Sequence, residues 1–261
     1  MNIKYIRILV LITFISMIAV NALANILPIN GMTTGAISDM YVNLFAPAGI
    51  TFAIWGLIYF MLGLFTLYQF GLFGWGKLDE KIIERVSVLF ILTSIVNLLW
   101  IFAWHYNIIF LSMILIVTLL VLLIKIADLV NNKDITIKER IFVCTPFSVY
   151  FGWITIATIA NITVLLVSLK WDGFGISPVI WTMLILLVGA IIGILRMFKD
   201  VNPAYGFVFV WAYLGIWIKH TSITGFNNMY PEIVYTVISL ILVFLVGISF
   251  VGYKKLKMLF P

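Results

Sequence analysis

LFAPAGITFAIWGLIYFMLGLFTLYQF, residues 44–70, is a turn punctuated by Pro47 and Gly49 that runs straight into a long apolar helix. Within it Phe52, Trp55, Tyr59 and Gly63 recur at spacings of 3, 4 and 4, which is one face of an α-helix. Leu and Ile suffice for a helix surrounded by lipid. A stripe of aromatics with a small residue beneath it implies something packed there, either a neighbouring helix or a ligand.

The whole chain shares this preference for an apolar solvent. Its 261 residues are 64% hydrophobic and only 10% charged, whereas a soluble domain is roughly 45–50% apolar and about 25% charged. The composition specifies an integral membrane protein whose first partner is the lipid bilayer. One cysteine, Cys144, excludes an internal disulfide framework, and with only His105 and His220 beside it a Cys/His metal cluster is not expected. The net charge of +6 sits in short loops, so it is a topology signal and not a nucleic-acid footprint.

A spanning helix needs about 20 mainly apolar residues. Eight candidates follow, at 8–28, 48–70, 86–106, 108–130, 141–168, 177–197, 204–219 and 232–253. The expected fold is an all-α, polytopic membrane helix bundle of about eight transmembrane helices. With Lys4 and Arg7 on the cytoplasmic side, alternation puts 14 of the 16 basic residues inside, leaving only Lys170 and Lys219 outside. The inside set includes Lys77 and Lys133. Both termini are therefore expected in the cytoplasm, with the protein in the cell membrane. Trp104, Trp171 and Trp217 are expected as outer-interface belt aromatics. Ala22-Leu23-Ala24 offers a competing reading as a signal-peptide cleavage site, but the apolar run continues to Pro28, which favours a retained first helix. Residues 29–47 form the longest outer loop and are either a connector or a lid.

Two more stripes match the opening one. The third span carries Phe90, Thr93, Asn97, Trp100 and Trp104; the fifth carries Pro146, Tyr150, Trp153, Ala157 and Asn161. An Asn in hydrocarbon must find a partner. It either ties helices together, at about 0.6–2 kcal/mol per contact, or faces a cavity. By the alternation, Trp55, Tyr59, Asn97, Trp100, Trp153, Ala157 and Asn161 reach similar depth beneath the 29–47 loop. Aromatic walls with few polar groups suit a flat apolar ligand.

The segment APAGITFAIWGLIY resembles the proline-turn-to-helix signature of the TspO/MBR family, the tryptophan-rich sensory or translocator proteins. Asn97-Leu98-Leu99-Trp100 is similar to that family's Asn-x-x-Trp on its third helix. Trp153-x3-Ala157-Thr158-x2-Asn161 resembles its fifth-helix pattern. The resemblance covers residues 1–168 and implies a five-helix core, with residues 169–261 as a three-helix extension. It implies binding of porphyrin, haem-like tetrapyrrole or sterol-like lipid by the seven residues just named, no resident cofactor beyond such a ligand, and a tendency to form homodimers. The extension would cover one face of the bundle. Two departures stand out. Pro47 is followed by Ala48 instead of a second proline, and Pro146 precedes Trp153 by seven residues.

The remaining features are read as structural. Gly189-x3-Gly193 permits close helix approach. Lys125 and Asp128 form a surface ion pair or snorkel. His105 sits at the interface beside Trp104 and Tyr106, and Cys144 belongs to the core. No nucleophile–base set, inward carboxylate pair or phosphate loop is present in the sequence, so a non-enzymatic ligand-binding protein is expected. A transporter or permease subunit whose polar stripes line a path is the alternative.

Overall fold

The computed structural model describes residues 3–72, 74, 78–131 and 135–259; Lys77 and Lys133 of the charge count lie outside these. α1 (Ile3–Ile26) leads into the 29–47 segment, which holds a single turn at Ile29–Gly31 and the short α2 (Thr34–Met40). A tight turn at Gly49–Ala53 opens α3 (Ile54–Tyr68), followed by α4 (Glu80–His105) and α5 (Ile109–Val130). One turn, α6 (Ile137–Glu139), widens through Arg140–Cys144 into α7 (Thr145–Ser168). α8 (Pro178–Asp200), α9 (Pro203–Thr221) and α10 (Pro231–Leu259) complete the order.

The helix ends follow from local chemistry. Ser177 and Asn202 each accept a backbone N–H from the first turn of the helix they precede, and each is followed by a proline that needs no partner there. Thr136 and Glu139 form a reciprocal capping box, and the buried Glu139 carboxylate also accepts the Leu78 N–H.

Among the described residues, seven helical segments are long and apolar enough to cross a membrane. α9 is not among them, yet its contacts run the full depth of the bundle. At its start Asn202 donates to Ser148 Oγ and Asn131 Oδ1. At its end the His220 Nε2–H donates to the Leu44 carbonyl at 2.9 Å. Its buried residues Tyr205, Phe209 and Tyr213 face protein, while Phe207, Trp211 and Trp217 lie on its exposed side. α9 thus runs within the same bundle beside the seven.

α1, α4, α5, α7 and α3 pack pairwise in that order and close into a ring of five. Three rings fill its middle: Phe65, Phe90 and Phe147 meet edge-on with centroids 4.7–5.5 Å apart. α9 packs on α7, and α10 packs on α8 and α9. Gly152 makes the α7–α9 approach possible, since a Cβ there would sit 2.9 Å from Val208 Cβ. Beside it the hydroxyls of Thr155 and Tyr205 pair at 2.9 Å.

The Gly189-x3-Gly193 pair works differently from the expectation. A Cβ at Gly193 would meet the rings of Phe209 and Phe244 at 2.8 Å, and one at Gly189 the Tyr213 hydroxyl at 3.1 Å. The glycines make room for aromatic rings of α9 and α10, not for another backbone. The Lys125–Asp128 pair is likewise replaced. Asp128 reaches across to α8 and pairs with Arg196 at 2.8 Å and Lys199 at 3.5 Å. These contacts, with Arg7–Glu80 at 3.9 Å, mark one basic end of the bundle. The 29–47 segment covers the other.

Candidate functional site

The Pro47 turn is seated on α9. The Ala48 N–H donates to Gly215 O, and Trp211 Nε1–H donates to Thr51 O, both at 2.9 Å. Asn43 Oδ1 accepts the N–H groups of Phe45 and Ala46 and so shapes the approach to the proline. These contacts fix where α3 starts and hence where its aromatic face points.

That face meets α7. Trp55 stacks on Tyr59 with centroids 5.5 Å apart and meets Trp153 at 6.3 Å and Tyr150 at 6.0 Å, both edge-on. Phe52 closes on Trp153 at 5.9 Å. Asn97 of α4 holds the far side: its Nδ2–H donates to Tyr150 Oη at 3.1 Å, while its Oδ1 accepts from Asn21 of α1 at 2.8 Å. Trp100 stands one helical turn from Asn97 and stacks on Trp104 at 5.7 Å. Residues of α1, α3, α4 and α7 thus converge on one packed aromatic cluster, the aromatic chamber.

Its polar groups are unusual. Tyr59 Oη, Trp100 Nε1 and Trp153 Nε1 are buried and have no hydrogen-bond partner among the described residues. A buried donor without a partner costs about 1–3 kcal/mol, so Tyr59 and Trp153, joined through Trp55, and Trp100, one turn from Asn97, call for an explanation.

The 29–47 segment roofs the chamber. Gly35 of α2 lies over Phe52, with a Cβ position 3.9 Å from the ring. The roof is bolted to the end of α4. Trp104 Nε1–H donates to Thr34 O at 3.1 Å, and His105 Nδ1–H donates to Ile29 O at 3.0 Å. His105 Nε2 then accepts the Thr34 hydroxyl at 3.1 Å, and Asn30 donates to the His105 carbonyl at 3.0 Å. His105 and Trp104 are therefore buried roof anchors and not interfacial side chains. The roof supplies them with acceptors that the sequence alone did not reveal.

Over this arrangement the comparisons agree with the geometry: a family model described as TSPO-like protein matches residues 7–250. This chain belongs to the TSPO-like protein family. The match extends across all three C-terminal helices to within α10. No curated protein and no solved structure matches the chain.

In this TSPO-like protein the seven expected residues fall into two groups. Trp55 contacts both Tyr59 and Trp153, Asn97 of α4 reaches them through Tyr150, and Trp100, one turn further along α4, stacks on Trp104. Asn161 instead accepts the Ser112 hydroxyl of α5 at 3.0 Å, a tie between α5 and α7, and half-buried Ala157 lies between it and Trp153 on α7. Phe52 and Tyr150 belong to the chamber and were already visible in the stripes. Asn21 was legible only as a polar residue in an apolar first helix, with no periodic partner to single it out.

Proposed function

We propose that this TSPO-like membrane protein is a ligand-binding, sensory-type receptor. Its ligand is hydrophobic and planar, porphyrin-like or sterol-like, and sits in the aromatic chamber under residues 29–47. Trp55, Tyr59, Asn97, Trp100, Trp153, Ala157 and Asn161 line or flank the site. The observation that carries this reading is the set of three buried donors without partners, Tyr59 Oη, Trp100 Nε1 and Trp153 Nε1. A flat ligand with acceptor atoms at its rim would stack on the rings and satisfy them. Asn97, already bonded to Asn21 and Tyr150, shapes the wall instead of offering a free donor.

Tryptophan quenching by protoporphyrin tests the proposal on the purified full chain. Saturable quenching is expected, weakened at least tenfold in Trp55→Ala and in Trp153→Ala, with Tyr59→Phe intermediate. Absence of saturation, or unchanged titrations in both variants, would overturn it. The transporter alternative predicts flux of the same ligand into proteoliposomes.

The same reading takes residues 1–168 as the ligand-binding core and 169–261 as a buttress that seats the Pro47 turn. It places the protein in the cell membrane with both termini cytoplasmic, supported by the clustering of Arg7, Arg196 and Lys199 at one end. An impermeant thiol reagent added outside intact cells should label Asp39→Cys but not Lys81→Cys. The reverse pattern would invert the topology.

A further inference from the structure

A second cavity, of about 520 Å³, lies at the roofed end of the bundle, away from the chamber. It is built where three connectors converge: Asn43 and Leu44 of the roof, the 171–176 turn between α7 and α8, and Phe226 with Tyr230 before α10. That volume falls in the range of small-molecule sites, roughly 300–1,000 Å³.

Two pairs of rings stand among its otherwise largely aliphatic lining. Trp171 and Trp181 meet at 5.1 Å, tilted by 57°, and Phe226 and Tyr230 meet at 5.5 Å, edge-on. Both pairs are held from behind. Trp181 Nε1–H donates to Gly173 O at 2.7 Å, and a Cβ at Gly173 would lie 3.0 Å from that same nitrogen. His220 packs against Phe226 at 4.8 Å and Tyr230 at 5.9 Å. The rings are therefore positioned before any ligand arrives.

The charge is one-sided. Asp172 is the single charged residue among those lining the cavity, which include no Lys, Arg or His. One Asp172 oxygen caps the local turn by accepting the Phe174 N–H at 3.0 Å. Its second oxygen has no partner among the described residues and stays available. Aromatic faces carry negative potential, and a carboxylate at their rim adds to it. An anion would meet repulsion from Asp172 and the ring faces, and a neutral apolar ligand would gain nothing from Asp172. A cation with an alkylated, weakly hydrated head satisfies both features.

We infer that this cavity is a binding site for an organic cation of the quaternary-ammonium type, either a free solute or the head of a choline lipid. The site is separate from the aromatic chamber and does not depend on the function proposed for it.

The test uses the purified full chain in maltoside micelles and radiolabelled choline. Saturable binding is expected. The uncharged isostere 3,3-dimethyl-1-butanol should compete at least about tenfold more weakly than tetramethylammonium. Asp172→Asn keeps an oxygen for the Phe174 N–H, so the turn survives, and it should weaken choline binding about tenfold. Trp181→Leu and Tyr230→Leu should each weaken it further, with thermal melting used to confirm that each variant is folded. Excess protoporphyrin should leave bound choline in place. Displacement by choline phospholipid but not by phosphocholine identifies a lipid head as the occupant; displacement by both identifies a soluble cation. No saturable binding, equal competition by the isostere, or unchanged affinity in folded Asp172→Asn overturns the inference.

Discussion

Single residues decide how closely the elements of this bundle meet. Gly215 is the sharpest case. A Cβ there would fall 2.0 Å from Thr51 Oγ1 and 2.9 Å from Thr51 Cβ, and Thr51 is itself buried. Gly215→Ala must push the Pro47 turn away from α9 and strain the Ala48–Gly215 hydrogen bond. We expect a loss of about 1–3 kcal/mol, read by thermal unfolding in detergent. Thr51→Ala removes the nearest atoms but leaves its Cβ, so the double variant should recover part of the loss and not all of it. Full additivity would show that the two positions are not in contact. Asn97 illustrates the same scale from the polar side. Its two hydrogen bonds reach α1 and α7 at once, so it ties three helices together beside the aromatic cluster.

Among the elements, the 29–47 segment departs furthest from its appearance in the sequence. It is too polar and too broken by glycine to predict as structure, yet it contains α2 and covers the chamber. Its hold on the bundle is chemical and local: His105 and Trp104 on one side, His220 and the Lys219–Asp39 pair at 2.9 Å on the other. The ion pair is partly exposed and contributes at most about 1 kcal/mol. The buried histidine contributes more, because its loss strands Ile29 O and the Thr34 hydroxyl. His105→Ala should therefore raise amide hydrogen exchange across residues 29–40 by at least tenfold while the exchange of α4 and α5 changes little. Uniform exchange changes throughout the bundle would instead indicate a global loss of stability.

At the scale of the molecule, the two groups of helices are joined at the basic end by a charge network in which Asp200 is buried and Asp128 is half-exposed. Arg196 of α8 donates through Nε to Asp200 and through Nη2 to Asp128 of α5, both at 2.8 Å, and stands 5.1 Å from the Phe151 ring centroid of α7. Asp200 also accepts from Asn131 at 2.9 Å. Removing one partner leaves a buried charge uncompensated, which costs about 3–5 kcal/mol. Arg196→Met alone should therefore be strongly destabilising. Arg196→Met with Asp200→Leu should restore much of the stability, as measured by the melting temperature of the purified protein. A double variant as unstable as the single one would mean that the network, and not the stranded carboxylate, holds the ends together.

The sequence by itself determined the solvent, the secondary structure and the family. Apolar runs of membrane length leave few alternatives to helices, because backbone groups in lipid must be satisfied within their own segment. The stripes on α3, α4 and α7 followed from helical periodicity alone, whereas the family resemblance rested on the motifs at residues 46–59, 97–100 and 153–161. Tertiary structure decided what those stripes touch. Asn161 bonds Ser112, the glycines of α8 receive aromatic rings, Asp128 passes over Lys125 for Arg196, and Trp104 and His105 turn inward to hold the roof. The physical reason is common to all four. Periodicity says which face of a helix a side chain occupies, but its partner lies on another helix, and which helices meet is settled only when the whole bundle closes. The Pro47 turn that opens the second span shows this most plainly, since the residues that seat it, Trp211, Gly215 and His220, lie some 160 or more positions further along the chain.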